Sequence, residues 1–232
     1  GQLDGELLAR AEQAGADAFA ATFSGRLRNT APTALRRAAQ ALPVDELVLQ
    51  GRWQAPVNAP ARGQLQLDQL ALRAFGLQLD GQGRLDLSTH ELQGDVKARA
   101  PGWFGSWSGL ADAARGQGQI RLDLTDADAS LAWLRSLQTA PWVGRTLTET
   151  LEDLRGLDVQ GQGSLGVGWR GGLAPLGYPP ASTTASPSPQ ALTIDAVLQL
   201  PRLQVRDSSS APVWEIEDTR LRFAGPPSAL KM

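Results

Sequence analysis

The 232-residue chain has no cysteine, one histidine, one tyrosine and one methionine. Without cysteine there is no disulfide framework and no thiolate metal site. That absence fits the periplasm or the cytosol. A single histidine, His90, leaves a general base or an imidazole metal ligand without its usual partners. It stands in Ser88-Thr89-His90-Glu91, where a turn between strands accounts for it. Arginine greatly outnumbers lysine, but there is no Lys/Arg run and no basic stripe with stacking aromatics. The formal net charge is -2. Nucleic acid is therefore excluded as a partner class. No run of about 18 apolar residues exists, and no signal peptide opens the chain. The first residue is not Met and the last clear pattern stops at Phe223. The expectation is a segment of a longer, elongated protein that carries its anchor elsewhere.

What is present is alternation. From Leu77 to Leu124 the apolar residues recur with period 2, the mark of a strand with one greasy face. Leu79, Leu85 and Leu87 share a face against Gln78, Asp80, Gln82, Arg84 and Asp86. Val96 falls on the next run, and Ile120, Leu122 and Leu124 on the one after Trp107. Short turns between runs predict antiparallel pairing. Glycines 81, 83, 94, 105 and 118 lie on the apolar face. Their repeated use there predicts a sheet that curls, or a face that another group approaches closely.

Elsewhere the same pattern recurs. Residues 1–16 are ambiguous between helix and strand. Phe19 to Leu27 alternate, and so do Leu47 to Trp53. Leu65 and Leu67 are out of phase with Leu70 and Leu72, which predicts a bulge near Asp68-Gln69. Val159, Leu165 and Val167 belong to a thirteen-residue run from Leu157 to Trp169, and Ile194 and Leu198 to a later one broken at Pro201. Three helices are expected. One starts at Thr30-Ala31-Pro32 and ends before Pro43. One is capped by Asp126 or Asp128 and carries Leu131, Leu134 and Leu137. One runs from Val143 to Leu154, so that 126–156 forms a helical insert. Residues 171–190, rich in Pro, Ser, Thr and Gly, are expected to be a flexible loop. The fold class is mainly β: a long, strongly curved, meandering antiparallel sheet forming a hydrophobic groove.

Chemistry finds little to stand on. Gly161-Gln162-Gly163-Ser164-Leu165-Gly166 matches G-x-G-x-x-G, but it lies inside a period-2 run with no helix after it, so strand curvature explains it. Asp123, Asp126 and Asp128 lack the glycine and distal glutamate of a calcium loop and read as helix caps. No catalytic residue, metal site or cofactor is expected, and no enzyme. The apolar stripes remain. They are either a core, closed as a β-sandwich interaction module, or a face left for a ligand.

Three landmarks carry a resemblance. Gly116–Leu124 runs into the helix Asp126–Leu137. The helix around Leu147–Leu154 is followed by the strand Leu157–Trp169. Leu203–Val205, Val213-Trp214-Glu215-Ile216-Glu217-Asp218 and Leu221–Phe223 close the segment. In these, residues 80–225 resemble the central region of the YhdP branch of the AsmA-like family of Gram-negative envelopes. The resemblance implies a periplasmic protein, anchored to the inner membrane, that moves phospholipid along a hydrophobic β-groove in outer-membrane biogenesis. It implies acyl chains as partners, with envelope proteins possible. The alternative within the same sheet is a structural component like the N protein of type II secretion.

Overall fold

The computed structural model describes residues 3–13, 15, 17–30, 44–137, 156–179, 190–206 and 212–227. The strands are β1 (Leu3–Gln13), β2 (Ala18–Asn29), β3 (Val44–Pro56), β4 (Gln64–Ala74), β5 (Leu77–Asp86), β6 (Glu91–Ala100), β7 (Trp103–Ala111) and β8 (Gln117–Leu124). Helix α1 (Ala127–Leu137) follows, then β9 (Asp158–Arg170), β10 (Thr193–Arg206) and β11 (Pro212–Gly225). All eleven strands form one sheet whose spatial order is the chain order, every pair antiparallel. This is the expected meander. Leucine, alanine, arginine and glutamine favour helix by intrinsic propensity, yet these residues build strands. The period-2 spacing decides, because a helix would scatter the leucines around its circumference.

The ambiguous first sixteen residues supply β1, paired with β2 from Leu3 opposite Asn29 to Gln13 opposite Phe19. The phase slip at Asp68-Gln69 is a register shift, where Leu67 and Leu70 on β4 face Gly83 and Gly81 on β5. Pro201 sits in a second shift, between Gln199 and Arg202 against β9. Of the three expected helices, the middle one is α1. Those at Thr30–Leu42 and Val143–Leu154 fall outside the described residues, except that Thr30 itself is described as coil. Two single turns of 3-10 helix lie at Pro60–Arg62 and Ala174–Leu176.

The sheet is a single open layer. Its edges, β1 and β11, do not meet. Among the described residues no large side chain is fully buried, and the buried apolar residues are alanines and Leu131, Leu137 and Leu192. The accessible surface is 15019 Å², where a compact protein of this mass exposes about 10,000 Å². The closed-sandwich alternative is therefore not the fold of these strands: a second sheet over the apolar face would take its leucines out of solvent, and they are only half-buried.

Each end of the sheet is tied off. At one end α1 spans several strand termini. The Asp126 carboxylate accepts from the Ala129 amide at 3.0 Å, the N-cap expected for it. Ser130 Oγ donates to the Pro101 carbonyl, Trp133 Nε1 to the Phe75 carbonyl at 2.7 Å, and Arg135 to the Leu157 carbonyl. Trp133 also meets Trp103 with ring centroids 6.0 Å apart. At the other end the Asp112–Gly116 turn receives the returning chain. Leu173 N donates to Asp112 O, Ala174 N to Ala113 O, Gly171 N to Gly116 O and Gln190 N to Ala114 O. Tyr178 Oη donates to the His90 carbonyl, and burial raises its pKa. Of the expected flexible loop, 171–179 and Gln190 are thus pinned to the sheet end; residues 180–189 lie outside the described residues.

The Ser88-Thr89-His90 turn is held by Asp86. Its Oδ1 accepts from Ser88 N, Ser88 Oγ and Thr89 N, and its Oδ2 from Gln64 Nε2. His90 takes a left-handed φ of 58°, a turn conformation in which His is enriched. Burial alone would raise the Asp86 pKa. The Ser88 hydroxyl, the Thr89 and Ser88 amides and Gln64 outweigh it and leave the pKa below its ordinary 3.8. A carboxylate with a depressed native pKa stabilises the fold above its unfolded pKa and loses that contribution as pH falls through the native value. Asp86→Asn is therefore expected to cost up to about 1 kcal/mol at neutral pH. The gap to the parent should narrow in urea melts as pH falls below about 4. A gap independent of pH would show that the charge is not what holds the turn.

Candidate functional site: the apolar face

In an antiparallel ladder, directly paired residues point to the same side. Following the pairs across the sheet therefore lists what each face presents. One transverse row reads Gly5, Leu27, Leu47, Leu72, Leu79, Ala98, Gly105, Leu122, Leu165, Leu198 and Leu221, one residue from each strand. The next reads Leu7, Gly25, Leu49, Leu70, Gly81, Val96, Trp107, Ile120, Val167, Ala196 and Phe223. The third reads Ala9, Phe23, Gly51, Leu67, Gly83, Gly94, Gly109, Gly118, Trp169, Ile194 and Gly225. No polar side chain interrupts any of the three.

At the usual strand spacing of about 4.8 Å, each row is roughly 48 Å long, and three rows are about 14 Å from first to last. The rows hold eight of the residues singled out in the sequence: Leu79, Val96, Ile120, Leu122, Leu165, Val167, Ile194 and Leu198. Leu85 lies on the same face, between Leu65 and Leu92. Leu124 does too, opposite Trp103 and Gly163. Val159 pairs with Val205, beyond the slip at Pro201. Leu87 falls just past β5, its amide bonded to the Gly63 carbonyl. The structure thus places eleven of the twelve on one continuous face and Leu87 at its rim. Strands β1–β4 add Leu7, Phe23, Leu27, Leu47, Leu49, Leu70 and Leu72 to this face; the alternation over Phe19–Leu27 and Leu47–Trp53 is legible in the sequence, but its join to Leu79 needs the register across the bulge in β4.

The glycines have a specific use here. A methyl group on Gly118 would sit 2.3 Å from the Trp169 ring, on Gly51 2.7 Å from the Phe23 ring and on Gly94 3.1 Å from the Trp107 ring. Each glycine is the floor under a ring reaching over from the neighbouring strand. Of the five glycines expected to curl the sheet or admit a close approach, Gly94, Gly105 and Gly118 lie under rings, whereas Gly81 and Gly83 meet neighbouring backbone and Val96. The rings lie over gaps instead of standing beside side chains, so the face stays level. Exposure across it is substantial: Ile120 37%, Leu122 41%, Leu221 59% and Leu7 72%.

Charge is confined to the other side. Glu46 accepts from Arg26 and Arg28, which lower its pKa in that order. Arg222 holds Asp195 through both oxygens and lowers its pKa. Arg121 pairs with Asp123. The Gly161–Gly166 motif lies wholly within β9, where the period-2 pattern put it. Among the described residues no three His, Cys, Asp or Glu gather as a metal group. No helix there is long and apolar enough to cross a membrane. The face can therefore bind by area and shape; it presents no nucleophile, acid or base.

No protein-family model, curated protein or solved structure matches this chain.

Proposed function

We propose that the apolar face is a lipid groove, and that this segment carries phospholipid by its acyl chains between the two membranes of a Gram-negative envelope. The observation that carries it is the set of three unbroken apolar rows, eleven strands wide and uncovered. Such an area exposed to water is costly unless something apolar occupies it. An acyl chain suits it best, since each CH₂ removed from water contributes about 0.8 kcal/mol without any directional bond. One leaflet of hydrocarbon is about 15 Å thick, half of the bilayer core, so a row of roughly 48 Å has room for several tails end to end. The likeness to the AsmA-like family and its YhdP branch points the same way. It adds periplasmic location, an inner-membrane anchor outside this segment and transport toward the outer membrane. The protein acts by binding, not by catalysis.

Neighbouring residues on opposite faces give the test. A photo-crosslinking amino acid at Leu122 faces the groove, and one at Arg121 faces away. Irradiation in intact cells is expected to yield phospholipid adducts from position 122 and none from 121. Adducts from position 122 that contain only protein would support the structural-component reading instead.

A further inference from the structure

The last strand carries a pattern that lipid binding leaves unexplained. β11 stands at the edge of the sheet and pairs on one side only, with β10. Its other side presents backbone N–H and C=O groups, a template for a further strand. Trp214 and Leu221 are both exposed on it. The strand switches phase at Asp218, whose φ of 47° lies in the left-handed region. Before the switch, Trp214 and Ile216 are on the apolar face, opposite Val205 and Leu203. Glu215 and Glu217 are on the polar face, opposite Gln204 and Arg202. After the switch, Leu221 and Phe223 are on the apolar face, opposite Leu198 and Ala196, and Arg220 and Arg222 on the polar face, opposite Gln199 and Val197. Both glutamates thus precede the switch and both arginines follow it.

We propose that β11 pairs antiparallel with β11 of a second copy, about a two-fold axis that is normal to the sheet and passes between Asp218 and Thr219. In that register Trp214 faces Phe223 of the second copy, Glu215 faces Arg222, Ile216 faces Leu221 and Glu217 faces Arg220. The axis repeats each pair. Apolar residues meet apolar ones and each of these glutamates meets an arginine, the pairings that stabilise neighbouring strands. The switch is no obstacle, because β10 and β11 already hold one register on both sides of Pro201 and Asp218. A slip of two residues would instead set Glu217 opposite Asp218. The other edge is less self-complementary: the β1 register that sets Asp4 opposite Arg10 also sets Glu6 opposite Leu8. β1 against β11 with the apolar faces level would be a parallel pair, unlike every other pair in the sheet. A two-fold contact also closes, giving a dimer and not a fibre. Both copies keep their apolar faces on the same side, so the transverse rows run on from one copy into the other. The pairing stands whether or not that face carries lipid.

Charge reversal at one pair tests this. Arg222 also holds Asp195 of its own sheet, so the pair chosen is Glu217 with Arg220, whose side chains have no hydrogen-bond or ionic partner among the described residues. Sedimentation velocity of the full chain over a dilution series is expected to show a reversible monomer–dimer equilibrium and no larger species. Glu217→Arg and Arg220→Glu should each weaken the dimer about tenfold, because the axis sets like charges opposite each other twice. Mixed in equal amounts, the two variants should recover the parent's dimer, since every reversed charge then faces its opposite. Ile120→Asp, on the apolar face and away from the edge, should dimerise as the parent does. The proposal is overturned if the parent stays monomeric or assembles beyond dimers, if either charge variant dimerises like the parent, if the mixture does not recover the dimer, or if Ile120→Asp abolishes it.

Discussion

Ile120→Asp and Leu165→Asp should give folded protein that has lost most of its lipid. Both residues lie mid-strand in the apolar rows, one strand apart, with Ile120 opposite Val167 and Leu165 opposite Leu122. Ile120 is 37% exposed and Leu165 half-buried. A carboxylate there keeps water contact, so its cost to the fold is the lost apolar contact, about 1–2 kcal/mol. In a closed core the same change would bury an unpaired charge and cost several kcal/mol, enough to unfold a marginal domain. Its effect on an acyl chain is larger than its effect on the fold, because a tail laid along either row must then displace the water around the charge. Circular dichroism and urea midpoints should stay near those of the parent while bound phospholipid falls severalfold. Unfolded or insoluble variants would mean that the face is a core in solution.

The second large effect falls on stability alone. Gly118→Ala should destabilise the sheet by about 3 kcal/mol, at the upper end of overpacking costs. The new methyl would lie 2.3 Å and 2.4 Å from the Trp169 ring and 2.6 Å from the Ser108 carbonyl oxygen. The ring can swing out, but only by losing its seat. The carbonyl belongs to the β7–β8 ladder and cannot yield without opening it. Gly166→Ala is the matched control. It lies on β9, paired with Arg121 on the polar face, and its methyl would meet nothing within 4 Å. That variant should unfold within about 0.5 kcal/mol of the parent. Urea titration followed by tryptophan fluorescence separates the two, and Trp169 should report a more polar surrounding only in Gly118→Ala. Equal midpoints for both variants would mean that the glycine is not a seat for the ring.

Local pattern and the antiparallel pairing of consecutive strands were legible in the sequence; the cross-strand register was not. Alternation located the strands, the change of phase at Leu67 to Leu70 located a bulge, and Asp126 located the start of α1. Each depends on neighbours a few residues apart. Residues 1–16 are ambiguous in sequence, because the Leu7-Leu8 pair breaks alternation and β1 is an edge strand with a neighbour on one side only. Whether the apolar stripes closed on each other was equally hidden. It depends on the order of strands in space, and nothing in Leu122 or Leu165 reveals that only solvent lies opposite. The use of Gly118 as a seat for Trp169, 51 positions away in the chain, requires the register of β8 against β9.

Native mass spectrometry of the chain, purified from the envelope of a Gram-negative host without detergent exchange, tests the groove most directly. The expected spectrum carries mass additions of whole phospholipids, one or more per chain, that fragment to two-tailed lipids of the host. The additions should diminish in Ile120→Asp. A spectrum of the bare chain alone, with the parent folded and monomeric, would contradict lipid binding at this face.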